Sequence, residues 1–147
     1  MDSEELWAWV AEQHTGIFIT LRQDGTPIAL PLWYVAIDHK LYTHSGGKKL
    51  ARIRNNDRAS VLIESGERWV DLKAVHMTGR IRALDPSDER WDQAHEAIEA
   101  KYAAYRVAAS AMPTETAQKY ATDGRAYLEF TPDDRILNWD NSKLGLG

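Results

Sequence analysis

Three apolar runs separated by two tight turns, GIFITLRQDGTPIALPLWYVAIDHKLYTH over residues 16–44, constrain the fold more than any other feature of this chain. Asp24-Gly25 between alternating apolar runs signals a hairpin, because a two-residue turn of the favoured hand needs φ > 0. Asp38-His39 marks a second turn of the same kind. The segment therefore reads as a strand, a turn, a long strand, a turn and a third strand. RASVLIES (58–65), DLKAVHMTGRIRAL (71–84) and RAYLEFTP (125–132) add a fourth, fifth and sixth. Six short strands with few helices between them favour a closed or nearly closed antiparallel barrel. A doubly wound parallel sheet would need a helix between most strands, and those helices are missing.

The predicted class is mainly β with flanking helices. Residues 3–13 read as a helix with Ser3 as N-cap, Glu4 and Glu5 in the first turn, and Leu6, Trp9 and Val10 on one face. A second helix starts after Pro86 with Ser87 as N-cap, and Trp91, Ala94, Ile98, Tyr102 and Tyr105 form its stripe. A helical piece at 114–122 follows Pro113. Residues 87–122 thus form a helical insert in a single domain spanning 1–147, without repeat or linker.

Charge and composition narrow the function. The net charge is −4, so an anion must be held by a local basic cluster and not by the protein's overall field. An absence of cysteine removes disulfides, thiolate metal sites and thiol nucleophiles together. No apolar run approaches the ~20 residues that span a bilayer, and the expectation is a cytoplasmic protein that binds neither membrane nor nucleic acid.

The local cluster is HSGGKKLARIRNND, residues 44–57, with four of the eighteen Lys and Arg residues against one Asp. Ser45-Gly46-Gly47 lets the chain turn sharply out of the third strand. The helix expected at 48–56 places Lys48, Lys49 and Arg52 along one side, with Leu50 and Ile53 facing the barrel. Two readings fit: a phosphate site at a helix N-terminus, or an amphipathic surface helix with a solvated basic side. The neighbouring IALPLWYV (28–35) carries Pro31 inside a strand, which marks an edge or a bulge. Free backbone groups there suit the edge of a flat heteroaromatic ring, and a barrel-rim bulge accounts for them equally. Trp33 and Tyr34 point to opposite faces.

Together these segments resemble the flavin/deazaflavin oxidoreductases of the B branch, split β-barrel proteins related to pyridoxamine 5′-phosphate oxidase. The resemblance runs through residues 16–45, GGKKLARIRNNDRASVLIESGERW, DLKAVHMTGRIRAL and the tail ILNWDNSKLGL. It implies a Greek-key split barrel working as a homodimer, with cofactor sites completed by the partner's C-terminal segment. By the same resemblance Gly47-Lys48-Lys49 grips the cofactor phosphate, and Leu30-Pro31-Leu32-Trp33 lies along the cofactor ring. WDNSKL is similar to a tail common among deazaflavin users, with Asn141 in place of that tail's histidine. The implied cofactor-binding set is Pro31, Leu32, Trp33, Thr43, His44 and Ser45, then Lys48, Lys49 and Arg52, then Trp139 and Asn141. The implied activity is hydride transfer to a conjugated small molecule with coenzyme F420, a deazaflavin; FMN is the alternative cofactor. No catalytic triad is visible, as expected where a cofactor carries the chemistry.

Other residues carry weaker signals. His44 ends the third strand beside the glycines, where it could meet a ring or phosphate or simply sit at the surface. His95 lacks a second ligand at i+4, which argues against zinc. Tyr102, Tyr105 and Tyr120 could form a lid or pack in a core. A non-catalytic carrier of flavin, deazaflavin or haem is the rival from another class. An oligonucleotide-binding barrel is disfavoured, because the basic residues sit on one helix and not across an aromatic sheet face.

Overall fold

The Asp24-Gly25 turn forms as its residues demand. Gly25 takes φ 86° and donates its N–H to the Arg22 carbonyl at 2.9 Å, while the Asp24 carboxylate accepts from the Thr26 N–H at 2.9 Å. In the computed structural model, which describes residues 1–122 and 125–146, this turn joins β1 (Gly16–Leu21) to β2 (Pro27–Leu32). Their antiparallel register runs from Gly16 opposite Leu32 to Leu21 opposite Pro27. At the second turn Asp38 and His39 both have positive φ, 51° and 60°, and connect β3 (Val35–Ile37) to β4 (Lys40–Ser45).

The long second strand expected from sequence is two strands. The ladder with β1 stops at Leu32, and pairing with β4 resumes at Val35. Between them Trp33 and Tyr34 leave the strand conformation and carry the chain from one end of the sheet to the other. After α2 (Lys48–Asn55) come β5 (Arg58–Ser65), β6 (Lys73–Ala83), α3 (Glu89–Tyr102), α4 (Thr114–Thr122), β7 (Ala126–Pro132) and β8 (Leu137–Asp140). The sheet order is β2-β1-β5-β6-β7-β4-β3, and β8 pairs with the first half of β6. Eight strands therefore replace the expected six, one from the split and one from the tail. Because the end strands β2 and β3 are consecutive in the chain, the antiparallel sheet curls into a split barrel.

Alternation on the strands separates two cores. Phe18, Leu41, Val61, Ile63, Val75, Met77, Leu128 and Phe130 fill the inside of the curl, joined by Tyr34, by Ile53 of α2 and by Leu6 and Val10 of α1 (Ser3–Glu12). On the opposite face of β3, β4 and β7, α3 packs Ala94, Ile98 and Tyr102 against Val35, Tyr42 and Tyr127. The buried Glu129 on that face accepts from the Tyr42 hydroxyl at 2.7 Å and from Arg82 Nε at 2.9 Å. Burial and this carboxylate both raise the Tyr42 pKa, so the hydroxyl stays protonated and donates.

Helix starts shift by one residue from expectation. Asp2, not Ser3, caps α1 by accepting from the Glu5 N–H. Asp88, not Ser87, caps α3, and Ser87 is instead held by Asp85 through both its N–H and its hydroxyl. In both cases an aspartate adjacent to the serine wins, since its charge also complements the helix dipole. No helix of the described residues is long and apolar enough to cross a membrane.

Candidate functional site

A cleft of about 710 Å³ opens where the β2–β3 break meets the insert. Its barrel side is made by Pro31, Leu32, Trp33 and His44, four of the residues assigned from sequence. Its other side comes from the insert, with Ile98, Tyr105, Arg106, Val107, Met112 and Ala117, and Arg125 closes one end. Pro31 lies on β2, which pairs only with β1, so of the edge and bulge readings of that proline the edge is the one it occupies.

Trp33 is fixed from several sides. Its ring stacks on Tyr102 with centroids 4.5 Å apart and planes 7° from parallel, and the Thr43 hydroxyl donates to its carbonyl at 2.6 Å. The Tyr102 hydroxyl accepts from the Tyr34 N–H at 2.9 Å and lies 2.8 Å from the carbonyls of both Tyr34 and His14. Lys101 donates to the Tyr34 carbonyl at 2.9 Å and sits 4.3 Å from that ring's centroid. Burial pushes the Lys101 pKa down to about 8. At the chain break between β2 and β3, α3 thus pairs the Tyr34 N–H and carbonyl, and Thr43 of β4 pairs the Trp33 carbonyl, in place of a strand ladder. Tyr102 belongs to the core and not to a lid; Tyr105 is exposed and lines the cleft; the side chain of Tyr120 lies outside the described residues.

His44 stacks on Tyr127 at 4.5 Å, and the Tyr127 hydroxyl is hydrogen-bonded to His95 Nδ1. Burial, reinforced by the guanidinium charges of Arg125 and Arg106, pushes the His44 pKa down to about 4. A neutral imidazole therefore faces the cleft at physiological pH. Arg125 is tied to the same strand, donating from Nη2 to the His44 carbonyl at 3.2 Å.

Beyond His44 the glycine turn begins. Ser45 is buried opposite Ala126, and a Cβ on Gly46 would stand 3.0 Å from Arg125 Cγ and 3.1 Å from its Cα. Gly46 thus lets Arg125 pack directly on the turn. Gly47 adopts φ 61°, ψ −134°, a conformation that needs glycine, and leaves the first turn of α2 without a side-chain cap.

Lys48, Lys49 and Arg52 of α2 do not share a face, contrary to expectation. Lys48 is exposed, Lys49 is 4% exposed one turn before the buried Ile53, and Arg52 is intermediate, its Nε 3.4 Å from the Thr20 hydroxyl. Lys49 Nζ is buried without a hydrogen-bond partner among the described residues, and burial together with Arg52 pushes its pKa down to about 8. An unpaired buried ammonium is costly, and an incoming anion would relieve that cost. Trp139 and Asn141 are elsewhere. Trp139 sits on β8 opposite Ala74, and Asn141 bonds the Leu72 and Trp69 carbonyls. Neither lines the cleft formed by this chain.

Sequence reasoning missed Arg106 and Arg125, and with them the contribution of the insert. A usable signal was present: Tyr105-Arg106-Val107 sets a cation between two apolar residues just past the end of the α3 stripe. Among the described residues no three His, Asp or Glu side chains are grouped to hold a metal. Lys48, Lys49 and Arg52 do not line the cleft either. A planar, phosphate-bearing cofactor fits its aromatic wall and the Arg125 guanidinium beside the glycine turn, with no carboxylate among the described lining residues.

Comparisons with known proteins agree with this geometry. No curated protein matches the sequence. Among solved structures, a conserved hypothetical protein of Mycobacterium tuberculosis has a TM-score of 0.81 at 22% identity, covering 100% of this chain and 89% of its own. A FAD-binding protein of Mesorhizobium loti has a TM-score of 0.70 at 19% identity, covering 94% of each chain. The haem storage protein of Vibrio cholerae has a TM-score of 0.69 at 11% identity, covering 92% of each. A protein described as an F420 reductase has a TM-score of 0.63 at 15% identity, covering 88% of this chain and 94% of its own. Likenesses this distant establish the fold, and the match of residues 3–138 supplies the lineage: the chain belongs to the pyridoxamine 5′-phosphate oxidase family.

Proposed function

We propose that this protein is an oxidoreductase that holds a flavin-type cofactor in the cleft, with the deazaflavin F420 preferred over FMN, and passes hydride to a conjugated small molecule. The observation that carries the reading is the run of features along one wall, from Pro31 and Trp33 through neutral His44 to Arg125 packed on Gly46. Such a run offers an aromatic bed at one end and cationic, glycine-bounded space at the other. Arg125, Lys48 and the orphaned Lys49 would hold the phosphate, and Pro31, Leu32 and Trp33 would border the ring. The bound cofactor supplies two-electron hydride chemistry. The chain contributes binding, orientation and exclusion of water, for which Trp33, Tyr105 and Val107 provide the apolar wall.

The preference for the deazaflavin rests on the WDNSKL tail and on the likeness to the F420 reductase fold. Since Trp139 and Asn141 do not line this chain's own cleft, their role requires a second copy, and the working unit is a homodimer in the cytoplasm. Exposed apolar side chains at Trp69, Leu137, Trp139 and Leu144 provide surface for that contact. Sedimentation of the purified protein tests the dimer.

The cofactor assignment is tested by mass spectrometry of what the purified protein releases, together with titration of FMN and of F420. Replacing Lys48 and Lys49 by alanine weakens binding by roughly 3–5 kcal/mol, two charge-assisted contacts' worth. Unchanged affinity in that variant removes the basis for the phosphate assignment. Turnover is distinguished from carriage by mixing reduced cofactor with enones, quinones and bilins, where a carrier produces no oxidation above background.

A further inference from the structure

We infer that the insert side of the cleft is a second subsite, which takes a flat, apolar molecule bearing a carboxylate and reads that anion with Arg106. To call the occupant the substrate rests on the function proposed above; the subsite itself rests on the geometry.

Two guanidinium groups line the cleft, and they come from different parts of the chain. Arg125 leads into β7 and packs on Gly46, at the end assigned to phosphate. Arg106 follows α3 and stands 5.7 Å from the Trp33 ring centroid, on the side made by the insert. One cofactor phosphate accounts for the first and leaves the second without a task. Arg106 lies between Tyr105 and Val107, which are 58% and 59% exposed and line the same cleft. An apolar pair flanking a cation, with Met112 also on this wall, suits an aromatic or polyene body with an acid group at its end. Among the described residues that line the cleft there is no Asp or Glu to repel it.

Glu99 accepts from Arg106 at 2.9 Å, and both side chains are close to half exposed. An ion pair of this kind contributes little. The guanidinium also has five N–H donors, so a ligand carboxylate can join or replace Glu99 in a bidentate contact. Glu99 then acts as a resident counter-ion that keeps the arginine placed while the subsite is vacant.

The probes are 2-naphthoate and its neutral isostere 2-naphthamide, titrated by calorimetry into the protein alone and into protein saturated with FMN or F420. The expected result is roughly tenfold or greater preference for the acid, undiminished by cofactor. Arg106→Met abolishes the preference while leaving naphthamide binding and cofactor affinity unchanged, Arg106→Lys retains part of it, and Glu99→Gln tightens naphthoate binding. Because Arg106 is exposed, these variants fold, as a thermal melt verifies. Equal binding of acid and amide, or a preference that survives Arg106→Met, overturns the proposal. Displacement of naphthoate by cofactor also overturns it, since the cleft then holds one ligand only. Failure of both cofactors to bind, with an intact Arg106-dependent preference, sinks the cofactor assignment and leaves the subsite standing.

Discussion

The indole of Trp33 lies flat on the phenol ring of Tyr102, and the hydroxyl of that same tyrosine accepts from the N–H of the next residue, Tyr34. One side chain of the insert thereby fixes both the aromatic wall of the cleft and the backbone where the sheet changes strands. Tyr102→Phe keeps the ring stack and removes the hydroxyl. It leaves the buried Tyr34 N–H unpaired, so a loss of roughly 1–3 kcal/mol is expected. Urea denaturation measures it. An unchanged midpoint would show that the break between β2 and β3 does not depend on this hydroxyl.

Lys49 gives two effects of opposite sign. Its ordinary pKa of 10.5 falls to about 8 in the fold, so between those values the unfolded chain binds more protons than the native one. Stability of the cofactor-free protein therefore rises with pH from about 8 to 10.5, and below pH 8 the whole penalty is present, about 3 kcal/mol. Lys49→Met keeps the apolar stem and deletes the charge. It stabilises the cofactor-free protein at pH 7 by ~2–3 kcal/mol, while weakening a phosphate-bearing cofactor at least tenfold by roughly 1.5–3 kcal/mol of lost contact. Denaturation and titration of the same variant read the two effects separately. Loss of stability in the absence of cofactor would mean that the ammonium is already satisfied.

How much of this was legible beforehand depends on whether an effect was local. The Asp24-Gly25 and Asp38-His39 turns were readable because each needs only its own residues' φ, and one missing donor marked Pro31 as an edge or bulge position. The break at Trp33-Tyr34 was not readable. IALPLWYV is an unbroken apolar run, and the pairing that replaces a ladder comes from Thr43 on β4 and from Tyr102 and Lys101, which are more than sixty residues away. Lys49 misled for a similar reason: helical spacing places it beside Arg52, but the packing of α2 against the barrel turns it inward with Ile53. The cleft was half visible. Pro31, Leu32, Trp33 and His44 lie on segments with recognisable strand chemistry, whereas Arg106 becomes a site residue only once the insert packs beside them, and Arg125 only through the pairing of β7 with β4.

His44 sets an acid limb. Its ordinary pKa of 6.5 drops to about 4, chiefly through burial, with Arg125 and Arg106 adding repulsion. Between those values the unfolded chain holds a proton that the native imidazole does not. Stability is therefore undiminished above pH 6.5 and falls as pH is lowered toward 4, by up to about 3 kcal/mol. His44→Gln removes this dependence without changing the polar character of the wall. The comparison is urea midpoints at pH 4.5 and pH 7 for both proteins. Parallel slopes would show that the acid sensitivity belongs to other groups.

Gly46 and Gly47 are adjacent, yet alanine should injure them in different ways. At Gly47 a Cβ meets nothing within 4 Å, so the whole penalty lies in the backbone, at φ 61° with ψ −134°. Gly47→Ala is expected to cost roughly 1–3 kcal/mol of stability and to disturb the start of α2. Gly46 has no positive φ, but its new methyl would press on Arg125 at both Cγ and Cα. The Cγ can swing away and the backbone atom cannot, so Gly46→Ala displaces the arginine from the turn. Its stability loss is accompanied by weaker binding of any anion that uses Arg125, beyond the loss in Gly47→Ala per unit of destabilisation. Denaturation and FMN titration of the two variants side by side supply the ratio. Equal ratios would mean that Arg125 acts at this turn as a packing residue only.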